Sequence, residues 1–182
     1  MPHIFLLVGA PAVGKSTTAH ALAAHFQKSI HIPVDDIRDM VVSGLLLPGP
    51  VWSEGLTEQV MLARAGVTQM ALNYCKAGFV VVIDDFWDTN SHLQEYDNLI
   101  LEANFHKILL LPSQQAAEER NIKRAGSGDG NPYIADGIRV VYEQIRNDFP
   151  EGKRSGWMVV DTTDKTVDET VAHILAQTEK EK

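Results

Sequence analysis

The chain has 182 residues, 45% of them hydrophobic and 22% charged, with a formal net charge of −8 and one cysteine. This is the size and composition of one globular domain with a substantial core, here taken as residues 1–182, and it weighs against a disordered or membrane-embedded chain. The acidic balance argues against a broad nucleic-acid-binding face, and the lone Cys75 rules out an internal disulfide and suits a reducing cytoplasm.

In chain order, IFLLV at 4–8 is an unbroken apolar run, as expected of a strand buried on both faces, and it begins too early for a signal peptide to precede it. GAPAVGKS at 9–16 follows, then a helix over 15–26. The alternation of Ile30, Ile32 and Val34 predicts a second strand that ends at Asp35 and Asp36, and Pro33 means that it lies at a sheet edge or is already finishing. A short helix is expected over 37–42, and a Gly/Pro-rich loop over 43–55. Leu56, Val60, Ala63, Val67, Met70, Ala71 and Tyr74 keep a helical period over 53–77, within which Cys75 reads as core packing. FVVVI at 79–83 is a third strand. Ser91 with Gln94 forms a capping-box pattern for a helix to about 103. KILLL at 107–111 is a fourth strand, followed by a helix over 113–124, the glycine-rich AGSGDGNP, and a helix to 149 opened by Asn131 and Pro132. WMVV at 157–160 is a fifth strand, and Thr166 with Glu169 caps the last helix, whose end frays over 179–182. Strands alternating with helices imply an α/β fold, a parallel sheet with helices on both faces, and ligands in such sheets gather at the carboxyl ends of the strands.

GAPAVGKS fits the phosphate-loop pattern between a strand and a helix. Gly9, Ala10, Pro11, Ala12, Val13 and Gly14 supply a loop whose amides can curl around an anion, and Thr17 continues the first helical turn with its dipole at the same place. Lys15 adds a positive charge at the β- and γ-phosphates, and Ser16 a hydroxyl for Mg²⁺. The other strand ends decide what the nucleotide is for. Asp35, taken as the last residue of the second strand, is the candidate base for an acceptor hydroxyl, whereas Asp36 either contacts the acceptor or caps the next helix. Arg38 is placed to bind a polar or anionic part of the acceptor. Asp84 or Asp85 is the candidate carboxylate for Mg²⁺, with Asp88 in reach from the loop. Arg120 and Arg124 share a helix face, and the glycine-rich stretch after them reads as a lid, about 120–133, that brings a guanidinium to the transferring group. Trp52 suggests stacking on a small organic acceptor from a loop of about 43–57.

These motifs resemble those of the small P-loop kinase family, which includes nucleoside-monophosphate, shikimate and gluconate kinases, chloramphenicol phosphotransferase and the kinase domain of polynucleotide kinase. VDDIRDM at 34–40 is similar to the DDxR segment of the polynucleotide kinases, and ERNIKRAG at 119–126 to the two-arginine lid helix of the same group. The resemblance implies a three-layer P-loop NTPase sandwich with an AAA-type ATP-binding domain, Asp35 as base, Arg38 on the acceptor, and Arg120 and Arg124 on phosphate or adenine, with adenine near DTTDK at 161–165. It leads to an ATP- and Mg²⁺-dependent phosphotransferase acting on a hydroxyl of a small molecule. The alternatives are a polynucleotide 5′-hydroxyl kinase, disfavoured by a 43–55 loop without basic residues, and a non-catalytic nucleotide switch. The acceptor, the choice between ATP and GTP, and the oligomeric state stay open.

Overall fold

The apolar runs explain the centre of the molecule. In β1 (Ile4–Val8) and β3 (Val80–Asp84) every residue is buried. Successive side chains of a strand point to opposite faces, so both faces of the sheet must be covered. The two strands pair in parallel, with Leu6 opposite Ile83 and Leu7 opposite Asp84. Outside them lie β2 (Ser29–Pro33) against β3, and β4 (Phe105–Leu110) with β5 (Met158–Val160) on the other side, giving the parallel order β2-β3-β1-β4-β5. This computed structural model describes residues 2–48, 52–88, 93–100, 102, 104–126, 132–149 and 156–180.

Between the strands run α1 (Lys15–Ala24), α2 (Val34–Asp39), α3 (Glu54–Lys76), α4 (Asp97–Ile100), α5 (Gln114–Ala125), α6 (Pro132–Asp148) and α7 (Val167–Lys180). Their starts are written locally. Ser53 Oγ accepts from the Leu56 amide at 3.2 Å and Ser113 Oγ from the Ala116 amide at 3.2 Å. The expected capping box forms at α7, where Thr166 N donates to Glu169 Oε2 at 2.8 Å and Glu169 N to Thr166 Oγ1 at 3.2 Å.

The structure differs from the sequence expectation at two places that matter for the site. β2 stops at Pro33, and Val34 already opens α2, so Asp35 and Asp36 lie in the first turn of a helix rather than at the end of the strand. Proline cannot donate to the ladder, and two carboxylates suit a helix N-terminus. After β3, the helix expected to about 103 is replaced by a 3-10 turn (Gln94–Tyr96) and the four-residue α4. Leu93 before it sits at φ 59, a left-handed conformation that interrupts a helix. The proposed cap Ser91 falls outside the described residues, as do Asn131 and the glycines of the expected lid at 127–131.

Leu22 of α1 is fully buried in the core beside β1 and β3. Leu22→Ala is expected to cost about 2–5 kcal/mol, the range for a leucine deleted from a packed interior. Urea denaturation should show a lower midpoint with unchanged slope. A loss under about 1 kcal/mol would contradict the packing described.

Candidate active site

The phosphate loop leaves the end of β1 and enters α1 through three unusual backbone positions. Gly9 has φ 154, and a Cβ there would meet the Leu110 carbonyl oxygen at 2.6 Å. Gly14 has φ 95, with nothing within 4 Å of where its Cβ would be. Ala12 carries a side chain at φ 61, which costs on the order of 1–3 kcal/mol and is held by its surroundings. Left-handed residues of this kind make the backbone concave toward an anion. Gly14 offers no side-chain cap to α1, and the first turn carries no acidic residue of its own, so the orphan amides there have no local side-chain acceptor.

Lys15 is half-buried and donates from Nζ to the Ala10 carbonyl at 2.9 Å. Burial holds its ammonium below the usual lysine range, the charges of Asp84, Asp35 and Asp85 oppose that shift, and Arg124 adds to it. Lys15, the three carboxylates and the exposed Arg124 therefore share one electrostatic neighbourhood. Ser16 Oγ donates to Asp84 Oδ1 at 3.2 Å, which joins the loop to the end of β3. The second oxygen of Asp84 faces His31 Nε2 at 2.5 Å. A carboxylate only accepts, so that ring nitrogen carries the proton.

Asp85, the alternative metal carboxylate, is used differently. Its Oδ2 accepts from Arg64 Nε at 2.6 Å and from the Tyr96 hydroxyl at 2.9 Å, and its Oδ1 from the Phe86 amide at 2.8 Å. Asp88, expected to reach the site from the loop, accepts from Arg64 Nη1 at 2.9 Å. Burial pushes the Asp85 carboxyl up, against the charge and hydrogen bonds of Arg64. Burial also works against the Arg64 guanidinium, but Asp85, Tyr96 and Asp88 more than offset it and leave it above its ordinary value. A carboxyl that accepts three hydrogen bonds is the ionised form.

On the acceptor side, Asp35 is exposed and accepts from Arg38 Nη1 at 3.1 Å, and Asp36 is exposed beside it. Arg38 itself is buried, with Nη2 on the Leu46 carbonyl at 3.3 Å. Gln59 fastens this loop to α3, receiving the Leu46 amide at 2.9 Å and donating to the Gly44 carbonyl at 2.8 Å. Trp52 donates to Thr57 Oγ1 at 2.7 Å and lies tilted on Phe86, so it anchors its loop while walling a cleft of about 440 Å³.

Arg120 does not project into the phosphate loop as a free guanidinium. It donates to the Val13 carbonyl at 3.2 Å and to the carbonyls of Thr162 at 2.5 Å and Thr163 at 3.3 Å, tying the phosphate loop to the loop after β5. That second loop is fixed in turn by Asp161, whose Oδ1 accepts from the Thr163 amide at 2.9 Å and hydroxyl at 2.6 Å. These hydrogen bonds hold the Asp161 carboxyl below the usual range.

The sequence profile of the AAA domain family matches residues 4–146, from β1 into α6, and so spans the phosphate loop together with Asp35, Asp84, Asp85 and Asp88. The chain belongs to the AAA domain family, within the small P-loop kinases. This AAA domain is 26% identical over 182 residues to an adenylate kinase of a Nitratiruptor species, covering 94% of this chain and 93% of that one. Among solved structures it is similar to a gluconokinase from Sinorhizobium meliloti 1021, with TM-score 0.66, 18% identity, and coverage of 98% and 93%. It is also similar to the Deinococcus radiodurans tunicamycin resistance protein, with TM-score 0.67, 17% identity, and coverage of 97% and 95%. These structural likenesses carry the fold.

Sequence reasoning missed two side chains of this AAA domain. Arg64 falls on the apolar stripe of α3, between Val60 and Val67, and is completely buried. An arginine inside an apolar stripe, with an acidic pair closing a buried strand elsewhere, is the signal that could have joined them. His31 lies opposite Val82, so Asp84, two residues on, is its diagonal same-face neighbour. That register has no local signature in either strand.

Arg64→Met is expected to destabilise by about 3–5 kcal/mol, because it strands the buried carboxylate of Asp85 without its charge partner. Chemical denaturation measures this. A loss within about 0.5 kcal/mol would mean that Asp85 does not need the guanidinium.

Proposed function

We propose that this chain transfers the γ-phosphoryl group of ATP, with Mg²⁺, to a hydroxyl of a small-molecule acceptor in the cytoplasm. The observation that carries this reading is the Ser16–Asp84 hydrogen bond, set beside Lys15 at the carboxyl end of the central strands. A hydroxyl and a carboxylate oxygen are hard ligands that fit Mg²⁺. When bound, Mg²⁺ supplies positive charge at the transferring group.

The remaining chemistry belongs to side chains of this protein. The loop amides of Gly9 to Gly14, with Thr17 behind them, and Lys15 bind the phosphates. Arg120 keeps the phosphate loop and the loop after β5 at the spacing a nucleotide needs. Asp35, at the exposed start of α2, accepts the hydroxyl proton as the acceptor oxygen bonds to the γ-phosphorus. The bond from that phosphorus to the β–γ bridging oxygen breaks, and ADP leaves with the electron pair. Arg38 orients Asp35 through Nη1 and lends its charge to a polar or anionic part of the acceptor. Asp36 and Trp52 flank that acceptor. Arg124, whose charge reaches Lys15, neutralises charge developing on the phosphoryl group.

Transfer of labelled γ-phosphate from ATP to a panel of sugars, sugar acids, nucleosides and amino alcohols tests the reading, with Lys15→Ala as the blank. Asp35→Asn is expected to keep ATP binding and to lose roughly 10²- to 10⁴-fold in rate, as for a positioned general base. An undiminished rate in that variant removes Asp35 from the mechanism, and absence of any labelled product removes the kinase reading.

A further inference from the structure

Asp84 uses both carboxylate oxygens inside the protein. Oδ1 accepts from Ser16 Oγ of α1 at 3.2 Å, and Oδ2 from His31 Nε2 of β2 at 2.5 Å. Phosphate binding accounts for the first contact but not for the second, which comes from the edge strand of the sheet. His31 lies opposite Val82 in the parallel register, so His31 and Asp84 share one sheet face. α1 lies over that face. Ser16 and His20, one helical turn apart on it, meet Asp84 and His31, and the two imidazole rings stand edge to face with centroids 6.2 Å apart.

This arrangement fixes the carboxylate in direction and in plane. One hydrogen bond from Ser16 would leave the group free to turn about its last torsion, and a donor from a second element on the other oxygen removes that freedom. The side chains of His31 and Asp84 are 15% and 8% exposed, so water competes little for the bond between them. A carboxylate offers about four acceptor positions, so two hydrogen bonds leave capacity for a cation. Asp85 differs, because its three hydrogen bonds include one from the Arg64 guanidinium, whereas Asp84 forms no ion pair with a lysine or arginine among the described residues. The strand that carries His31 also runs through Pro33 into α2 and Asp35, so the histidine ties the Asp84 carboxylate to the element that delivers the acceptor base.

We propose that His31 is a positioning residue for the metal, its Nε2–H holding the Asp84 carboxylate in the orientation that receives Mg²⁺ with the bound nucleotide. The inference rests on the reading of Asp84 as the Mg²⁺ carboxylate. Partners that hydrogen-bond a metal's ligands orient them, and their loss typically costs about 10- to 100-fold in metal affinity.

The test is Mn²⁺ binding to the complex of the protein with ADP, followed by electron paramagnetic resonance, beside calorimetric binding of ADP in EDTA. His31→Phe and His31→Leu, which lack a donor, are expected to weaken Mn²⁺ binding by about 10-fold and to leave metal-free ADP binding within about twofold. His31→Gln, whose amide brings back an N–H, is expected to recover most of the loss. In an Asp84→Asn background the His31 substitutions should have no further effect, as for two residues acting through one contact. Metal-free ADP binding reports that each variant is folded. A readout that needs no folded apolar variant is the ¹⁵N resonance of His31 Nε2 in the unmodified protein, which should move when Mg²⁺ is added to the ADP complex. Equal losses with and without metal, Mn²⁺ binding unchanged in a folded apolar variant, a loss in His31→Gln as deep as in the apolar variants, or a stationary resonance would overturn the proposal. Mn²⁺ binding that Asp84→Asn weakens and no His31 substitution touches refutes the role of His31 alone. Mn²⁺ bound no more tightly than by free ADP refutes the metal reading of Asp84, and the proposal with it.

Discussion

Two consecutive aspartates at the end of a buried strand cannot share a partner, because neighbouring side chains of a strand leave on opposite faces. The organisation of the site follows from that constraint. Asp84 meets Ser16 of α1 and His31 of β2, whereas Asp85 meets Arg64 of α3 and Tyr96 of the 3-10 turn. One strand terminus therefore anchors the phosphate loop with one carboxylate and the α3 side with the next. The charges of both are felt at Lys15. The sheet order makes this possible, since β3 lies between β1, which delivers the phosphate loop, and β2, which delivers α2 and Asp35.

The same logic accounts for the buried arginine. A guanidinium in the interior is tolerable only when its charge is matched, and Arg64 is matched by carboxylates from the segment that leaves β3. Phe86 adds a ring 4.9 Å from the guanidinium carbon. The polar cluster fixes how the segment after β3 crosses α3, which apolar contacts alone would specify less tightly. On the opposite flank Arg120 acts through backbone carbonyls and couples two loops that are far apart in sequence. Both arginines organise loops at the carboxyl end of the sheet, one by charge and one by geometry.

The sequence made the scaffold legible because its signals are local. Unbroken apolar runs mark β1 and β3, proline marks β2 as an edge or ending strand, and Thr166 with Glu169 announces a helix that begins where it should. The phosphate loop is equally legible, since its glycines and its Lys-Ser pair each meet a local requirement. The partners of Asp84 and Asp85 were not legible. His31 reaches Asp84 through an interstrand register, and Arg64 reaches Asp85 across 21 residues of chain. Asp35 was misplaced by one element because apolar alternation runs through Val34, while the proline before it sets an extended residue that ends the strand and opens a helix. Arg120 followed the helical period correctly, but a period says which face a side chain shares, not which loop waits there.

A shared fold also limits what similarity can say about substrate. Structures with different names, a gluconokinase and a tunicamycin resistance protein, superpose on this chain with nearly equal TM-scores at 18% and 17% identity. Function then lives in side chains grafted on the common frame. In this protein the phosphate side is built from β1, α1 and the end of β3, elements whose sequence follows from phosphate chemistry. The other side is built from α2, the loop after it, α3 and the turn after β3. Here the sequence departs from simple patterning: a buried arginine on an apolar helix stripe, a left-handed leucine, and a glutamate whose oxygens lack donors among the described residues. Sequences are mostly consistent across levels, and departures are expected at functional or strained places. Their concentration on the α3 side of the strand ends sets that side apart from the phosphate side, whose sequence follows from its chemistry.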